Sequence, residues 1–130
     1  MANDNIPDAP DDDDLEQLVG EWLTIPDLGE RLGLRLSDVR QLLVDRQLLG
    51  ARVGPRNVMS VPSKFVDEAG PLPGLPGTFT VLGDSRMSDP EILRWLFTPD
   101  ATLPVPGAPI DALLAGFKTE VRRRAMEAAF

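Results

Sequence analysis

The chain contains no cysteine, no histidine and no tyrosine. Without cysteine there is neither a disulfide framework nor a thiolate metal site. Without histidine no Ser-His-Asp or Cys-His arrangement can form, and no imidazole is available as a near-neutral base or metal ligand. Catalysis would have to rest on carboxylates, lysine or arginine alone, so a non-enzymatic role with no cofactor and no metal is expected. Gly83-Asp84-Ser85 could suggest a serine nucleophile, but with no base to activate it the tripeptide reads as a turn. No apolar run approaches the roughly 20 residues needed to cross a bilayer, and the N-terminus lacks the basic start and apolar core of a secretory signal. A cytoplasmic location away from the membrane is the expectation.

What is present is enough for one ordinary domain, or a small domain with an appended subdomain: 130 residues, 42% hydrophobic and 26% charged. The formal charge of −8 is unevenly spread. Residues 1–20 hold seven acids and no base, which leaves 14 acids against 13 bases, or −1, over residues 21–130. Asp11 to Asp14 lack the spaced ligands and turn glycine of a calcium loop, so residues 1–13 are expected to be a disordered acidic tail. Residues 31–56 carry six arginines (Arg31, Arg35, Arg40, Arg46, Arg52, Arg56) against Asp38 and Asp45, a local +4. Phosphate contacts depend on where positive charge sits, not on the sum, so an acidic chain can still carry a DNA-binding patch.

Periodicity organises residues 14–69. Leu15, Leu18, Val19 and Trp22 have the i, i+3, i+4, i+7 spacing of a buried stripe, which predicts a helix from Leu15 to about Trp22. Thr24 is placed to cap a second helix, with Pro26 in its first turn and Gly33 as a left-handed stop. Ser37 is expected to cap a third, running to about Gln47. On a helical wheel Leu36, Val39, Leu42 and Leu43 share one side, and Ser37, Arg40, Gln41, Val44 and Asp45 occupy the other. A helix, a glycine turn and a second helix with a basic, amide-bearing free side form a helix-turn-helix. Leu48 to Val53, the turn Gly54-Pro55-Arg56 and Asn57 to Val61 then read as a hairpin displaying Arg52 and Arg56, a wing. Pro62 is expected to open a short helix over Ser63 to Glu68.

The ordered string from Thr24 to Val66 resembles the MerR/excisionase type of winged helix-turn-helix. That resemblance implies base contacts from helix 37–47 in the major groove and backbone contacts from the 48–61 wing. Carried over by position, it points to Ser37, Arg40, Gln41, Arg52 and Arg56 as DNA-binding residues. Asp38 stands where the family more often has a neutral residue.

The segment Gly70 to Gly77 is dense in proline and glycine and reads as a linker, 70–77, before a C-terminal helical subdomain, 78–130. Thr78 to Ser85 is expected to be a short strand or extended segment. Ser88-Asp89-Pro90-Glu91 has the cap, first-turn proline and third-position glutamate of a helix start, with Ile92, Leu93, Leu96 and Phe97 on its buried side. A last helix is expected from about Ile110 to Ala128, mildly interrupted by Gly116, its Arg122-Arg123-Arg124 run either structural, favourable near a helix C-terminus, or a DNA-phosphate contact.

Two resemblances attach to this half. Glu91 to Leu103 with Gly107 to Phe130 is similar to a small actinobacterial family of winged-helix DNA-binding proteins, known in mycobacteria as a substrate of the Ser/Thr kinase PknL. That family implies a phosphosite in the N-terminal tail, but residues 1–23 contain no serine, threonine or tyrosine. The spacing of Trp95, Leu96, Pro99 and Leu103 is also similar to the C-terminal domain of Xre/MbcA/ParS-type antitoxins, which implies a partner surface through Trp95, Leu96 and Phe97. The combined reading is a mainly α protein with a small β-hairpin, a winged helix-turn-helix followed by C-terminal helices. Double-stranded DNA is the expected partner of a transcriptional regulator or nucleoid-associated factor. The alternative is a protein-interaction module whose C-terminal helices dock a partner or self-associate.

Overall fold

The structure, a computed structural model, describes the backbone of residues 8–129 and the side chains of residues 14–129. Helix α1 spans Asp8–Val19. Six residues of the expected tail, 8–13, are thus helical, in keeping with the preference of acidic residues and an early proline for a first turn. The rest of that tail, 1–7, lies outside the described residues. Leu15 and Val19 are buried as expected, but the helix stops at Gly20, whose φ of 85° turns the chain. Trp22 therefore falls in a strand, β1 (Trp22–Thr24), rather than on the helical stripe. It still packs on the core, and its Nε1 donates to the Glu16 carbonyl at 3.2 Å.

Thr24 ends β1 and caps α2 (Ile25–Leu32) in a reciprocal box: its Oγ1 accepts from the Asp27 amide at 3.3 Å and its own amide donates to Asp27 Oδ2 at 3.2 Å. Gly33, at φ 68°, stops the helix as expected, and the amide of Leu34 donates back to the Gly29 carbonyl at 2.9 Å. Helix α3 runs over Leu36–Val44, three residues short of the expected Gln47, because Arg46 adopts φ 59° and the Gln47 amide folds back to the Leu42 carbonyl at 2.9 Å. The wing follows as β2 (Ala51–Val53) and β3 (Val58–Pro62), paired antiparallel with Val53 opposite Val58. Its turn closes through the Asn57 amide on the Gly54 carbonyl at 3.0 Å. Sequence patterning missed the third strand: β1 pairs with β3, Leu23 opposite Val61, giving sheet order β1-β3-β2.

Beyond the wing the expectations need several corrections. Only Ser63–Phe65 coils, as one 3-10 turn, and Val66–Asp67 (β4) pairs with Gly70–Pro71 (β5) where a helix to Glu68 was expected. Residues 70–77 are not a free linker, since Leu72 and Leu75 are buried. Leu75 opens helix α4 (Leu75–Asp84), which replaces the expected strand over Thr78–Ser85. Leu75, Thr78, Phe79 and Leu82 hold the i, i+3, i+4, i+7 buried stripe; packing on that face outweighs the β-prone Thr-Phe-Thr-Val composition. Helix α5 (Asp89–Phe97) starts with the expected Ser88–Glu91 box, Glu91 Oε1 accepting from the Ser88 amide at 2.8 Å. The expected final helix is two helices, α6 (Pro109–Leu114) and α7 (Lys118–Ala129), because Gly116 sits at φ 96°. The arginine run consequently lies in the middle of α7, not in its last turn.

One apolar cluster joins the two halves, from Leu15, Leu28, Val39 and Val61 through Phe65 to Phe79, Leu93 and Ile110. Phe65, fully buried after the wing, meets Phe79 of α4 at 5.6 Å between ring centroids and Phe97 of α5 at 5.8 Å, both tilted. The chain is a winged helix-turn-helix continued by four C-terminal helices on a shared core.

Candidate nucleic-acid interface

Helix α3 rests on α2 through Val39, which is fully buried, with Leu42 and Leu43 half-buried beside it. The opposite side is left to solvent. Ser37, Arg40 and Gln41 are all exposed there, on one face by the i, i+3, i+4 relation. Val44 extends the same stripe at i+7 and is 71% exposed, although it was not among the candidate residues. Its spacing from Ser37 was the available signal. Leu36, expected on the packed side, is 43% exposed at the first helical position, with only its Cδ2 lying against Gly29 of α2.

Ser37 is not the cap of this helix. Arg35 holds that position with extended backbone and no side-chain hydrogen bond, which puts Ser37 inside the first turn with its hydroxyl free among the described residues. Asp38 has a local role that its departure from the family pattern did not suggest. It lies in the first turn, where a carboxylate suits the helix dipole, and accepts from Arg35 Nε at 3.5 Å. Gln41 Nε2 donates to Asp45 Oδ1 at 2.9 Å, so the amide is held in one orientation along the free face.

On the wing Arg52 projects from β2 with the half-buried Ala51 and Val53 to either side, and its Nη1 donates to the Asn57 carbonyl at 3.3 Å across the hairpin turn. Arg56 is exposed at the tip. Of the six arginines that give residues 31–56 their positive charge, Arg35 pairs with Asp38 and Arg46 with Asp89 at 3.0 Å. Arg31, Arg40 and Arg56 have no acidic partner among the described residues, so their charge is available to a ligand.

The expected partner surface in the C-terminal half is largely interior. Leu96 is fully buried and Phe97 is 5% exposed, which corrects the reading of both as docking residues; Trp95 is half-buried against the same core. The i, i+3, i+4 relation of Leu93, Leu96 and Phe97 already marked a core face. No helix among the described residues is long and apolar enough to cross a membrane.

Comparison with known proteins divides the chain near the end of the wing. A family described as the wHTH domain of the DNA-binding protein Rv2175c matches residues 8–66, and one described as the Rv2175c C-terminal domain of unknown function matches residues 72–129. The DNA-binding protein Rv2175c of Mycobacterium tuberculosis is 36% identical over 117 residues, 82% of this chain and 79% of that protein. The NMR structure of Rv2175c superposes with a TM-score of 0.76 at 33% identity, covering 85% of this chain and 82% of the other. With both of its halves matched and this likeness running through most of its length, the chain belongs to the Rv2175c family.

Proposed function

We propose that this protein binds double-stranded DNA, with α3 in the major groove and the wing on the backbone, as a transcriptional regulator or nucleoid-associated factor. The observation that carries the reading is the exposed stripe Ser37, Arg40, Gln41 and Val44 on a helix packed by its other side against α2. Such a stripe offers an arginine fork, an oriented amide, a hydroxyl and a methyl-bearing contact, the groups that discriminate base edges. Arg56 and Arg52 supply the sequence-independent phosphate contacts that fix register. The acidity of the chain does not oppose this, since much of it precedes residue 21. The name of the mycobacterial relative points the same way.

The test is a set of three variants on selected and random duplexes. Arg40→Ala and Gln41→Ala should change which sequences are preferred, each costing on the order of 1–3 kcal/mol where the contact is good. Arg56→Ala should weaken all duplexes alike. Unchanged affinity and preference in all three would contradict the assignment.

A further inference from the structure

The run Arg122-Arg123-Arg124 splits in the structure. Arg124 is fully engaged: Nε donates to Glu120 Oε2 at 2.8 Å, Nη1 to Asp100 and to Thr102 Oγ1 at 2.7 Å, and Nη2 to the Thr102 carbonyl at 2.9 Å. It fastens the 100–102 loop to α7. Arg123 pairs with Glu120 and Glu127. Arg122 turns the other way, toward the first turn of α4. Neither Arg122 nor Lys118, one helical turn before it, has an acidic partner among the described residues, and both are exposed.

Two glycines, Gly74 at the N-cap of α4 and Gly77 in its first turn, seat these cations. A Cβ at Gly77 would overlap the Arg122 guanidinium, and one at Gly74 would come within 3.1 Å of Lys118 Cγ. Both side chains therefore lie directly on the backbone at the start of α4. Between them opens a cleft of about 480 Å³ lined by Gly74, Lys118, Thr119, Arg122, Arg123 and Met126. The Thr119 hydroxyl also has no hydrogen-bond partner among the described residues. Like charges one turn apart repel, and no acid among the described residues offsets these two.

We propose that this cleft is a phosphate-binding site whose ligand is the backbone of duplex DNA, a contact separate from the winged helix. An ammonium, a guanidinium fork and a hydroxyl converging on one space match the several acceptor oxygens of a phosphate. The Gly77 amide adds to the same potential: it is the first-turn amide of α4 left without an acceptor among the described residues, since Pro76 has no N–H and the Leu75 and Thr78 amides donate to the Leu72 and Gly74 carbonyls. The lining has only Met126 as a large apolar side chain and no aromatic ring on which a base could stack, which favours a polymer backbone crossing an open surface over a free nucleotide. The choice of duplex as the source rests on the function proposed above; the phosphate chemistry does not.

The experiment uses the full chain, wild type, Lys118→Ala/Arg122→Ala, and Gly77→Ala, which retains a good helix former while displacing Arg122. Inorganic phosphate is titrated and followed by amide chemical shifts, and duplex affinity is measured against salt. Phosphate should shift the amides of Gly77, Lys118 and Thr119 in the wild type and not in the double variant. The slope of log affinity against log salt should fall by about 0.9 in the double variant, the value for one phosphate contact, and by less in Gly77→Ala, with sequence preference unchanged. Phosphate shifts with an unaltered slope overturn the duplex assignment in favour of free phosphate, and absence of both effects overturns the site. A wild type that binds no duplex at any salt overturns the proposed function instead, while the phosphate titration still decides the cleft.

Discussion

Arg46 Nη1 donates to both carboxylate oxygens of Asp89, at 3.0 and 3.3 Å, across 43 residues of sequence. The pair ties the end of α3 to the first turn of α5, and it holds an arginine at φ 59°, a conformation that glycine or asparagine more readily supplies. Both side chains are about half exposed, 48% and 46%. Solvent screening therefore limits what the pair contributes. A double-mutant cycle of Arg46→Ala and Asp89→Ala, read by chemical denaturation, should give a coupling below about 1 kcal/mol. Several kcal/mol would mean that ion pairing, not the core, joins the two halves.

The apolar junction should dominate instead. Phe65 touches both Phe79 and Phe97 from a position with no solvent exposure. Phe65→Ala is expected to cost about 3–5 kcal/mol. Trp22 in β1 and Trp95 in α5 are the only tryptophans, one on each side of this junction. Denaturation curves of single Trp→Phe variants should coincide, as one cooperative unit requires. Two separated transitions would show that the halves fold independently.

Gly29 sits where α2 meets the turn into α3, and a Cβ there would lie 2.9 Å from the Leu34 carbonyl oxygen, a backbone atom that cannot swing aside. Alanine would gain about 1 kcal/mol of helix propensity. The displacement of the turn should outweigh it, with a net loss of roughly 1–3 kcal/mol, as for other overpacked sites. Thermal melting should show Gly29→Ala to be less stable than wild type and weaker on DNA, because α3 is displaced with the turn. An unchanged or raised melting temperature would show that the turn yields without cost.

Much of the fold was written in short-range signals. Thr24 with Asp27, and Ser88 with Glu91, form the boxes that their spacing implied, and Gly33 stops α2 where a left-handed residue was needed. What remained hidden depended on distant partners. Strand β1 exists because β3 pairs with it, and nothing within Trp22-Leu23-Thr24 announces a strand. Helix α4 was obscured by proline and glycine at its start, although Leu75, Phe79 and Leu82 carried its period. For the site, Arg40, Gln41 and Arg56 are exposed as read, whereas the pairing of Arg46 with Asp89 and the separation of Arg122 from Arg124 came only with tertiary structure.

Acid should destabilise the protein through identifiable carboxylates. Glu91 is held below its ordinary value of 4.5 by hydrogen bonds from Ser88, and Glu120 by Arg123 and Arg124. Asp100 is lowered by the Thr102 hydroxyl and amide. Burial pushes Asp111 up, but the Ala108 amide and Lys64 together leave it below 3.8. Each of these groups binds protons more readily in the unfolded chain. Their contribution is therefore present above the ordinary carboxylate range and is lost as pH falls through and below it. Melting temperature should drop progressively below about pH 4.5, and Asp111→Asn should flatten part of that drop. A melting temperature that rises on acidification would reverse the sign of this account.

The most direct test of the central claim is duplex affinity measured across a range of salt concentrations, with Arg40→Ala/Arg56→Ala alongside the wild type. Neutralising phosphates releases counterions, so affinity must fall steeply with salt, by about 0.9 in log-log slope for each phosphate contacted. The account expects that fall in the wild type, a shallower one in the variant, and a sequence preference that the variant loses. Binding indifferent to salt, or equal in the two proteins, would contradict it.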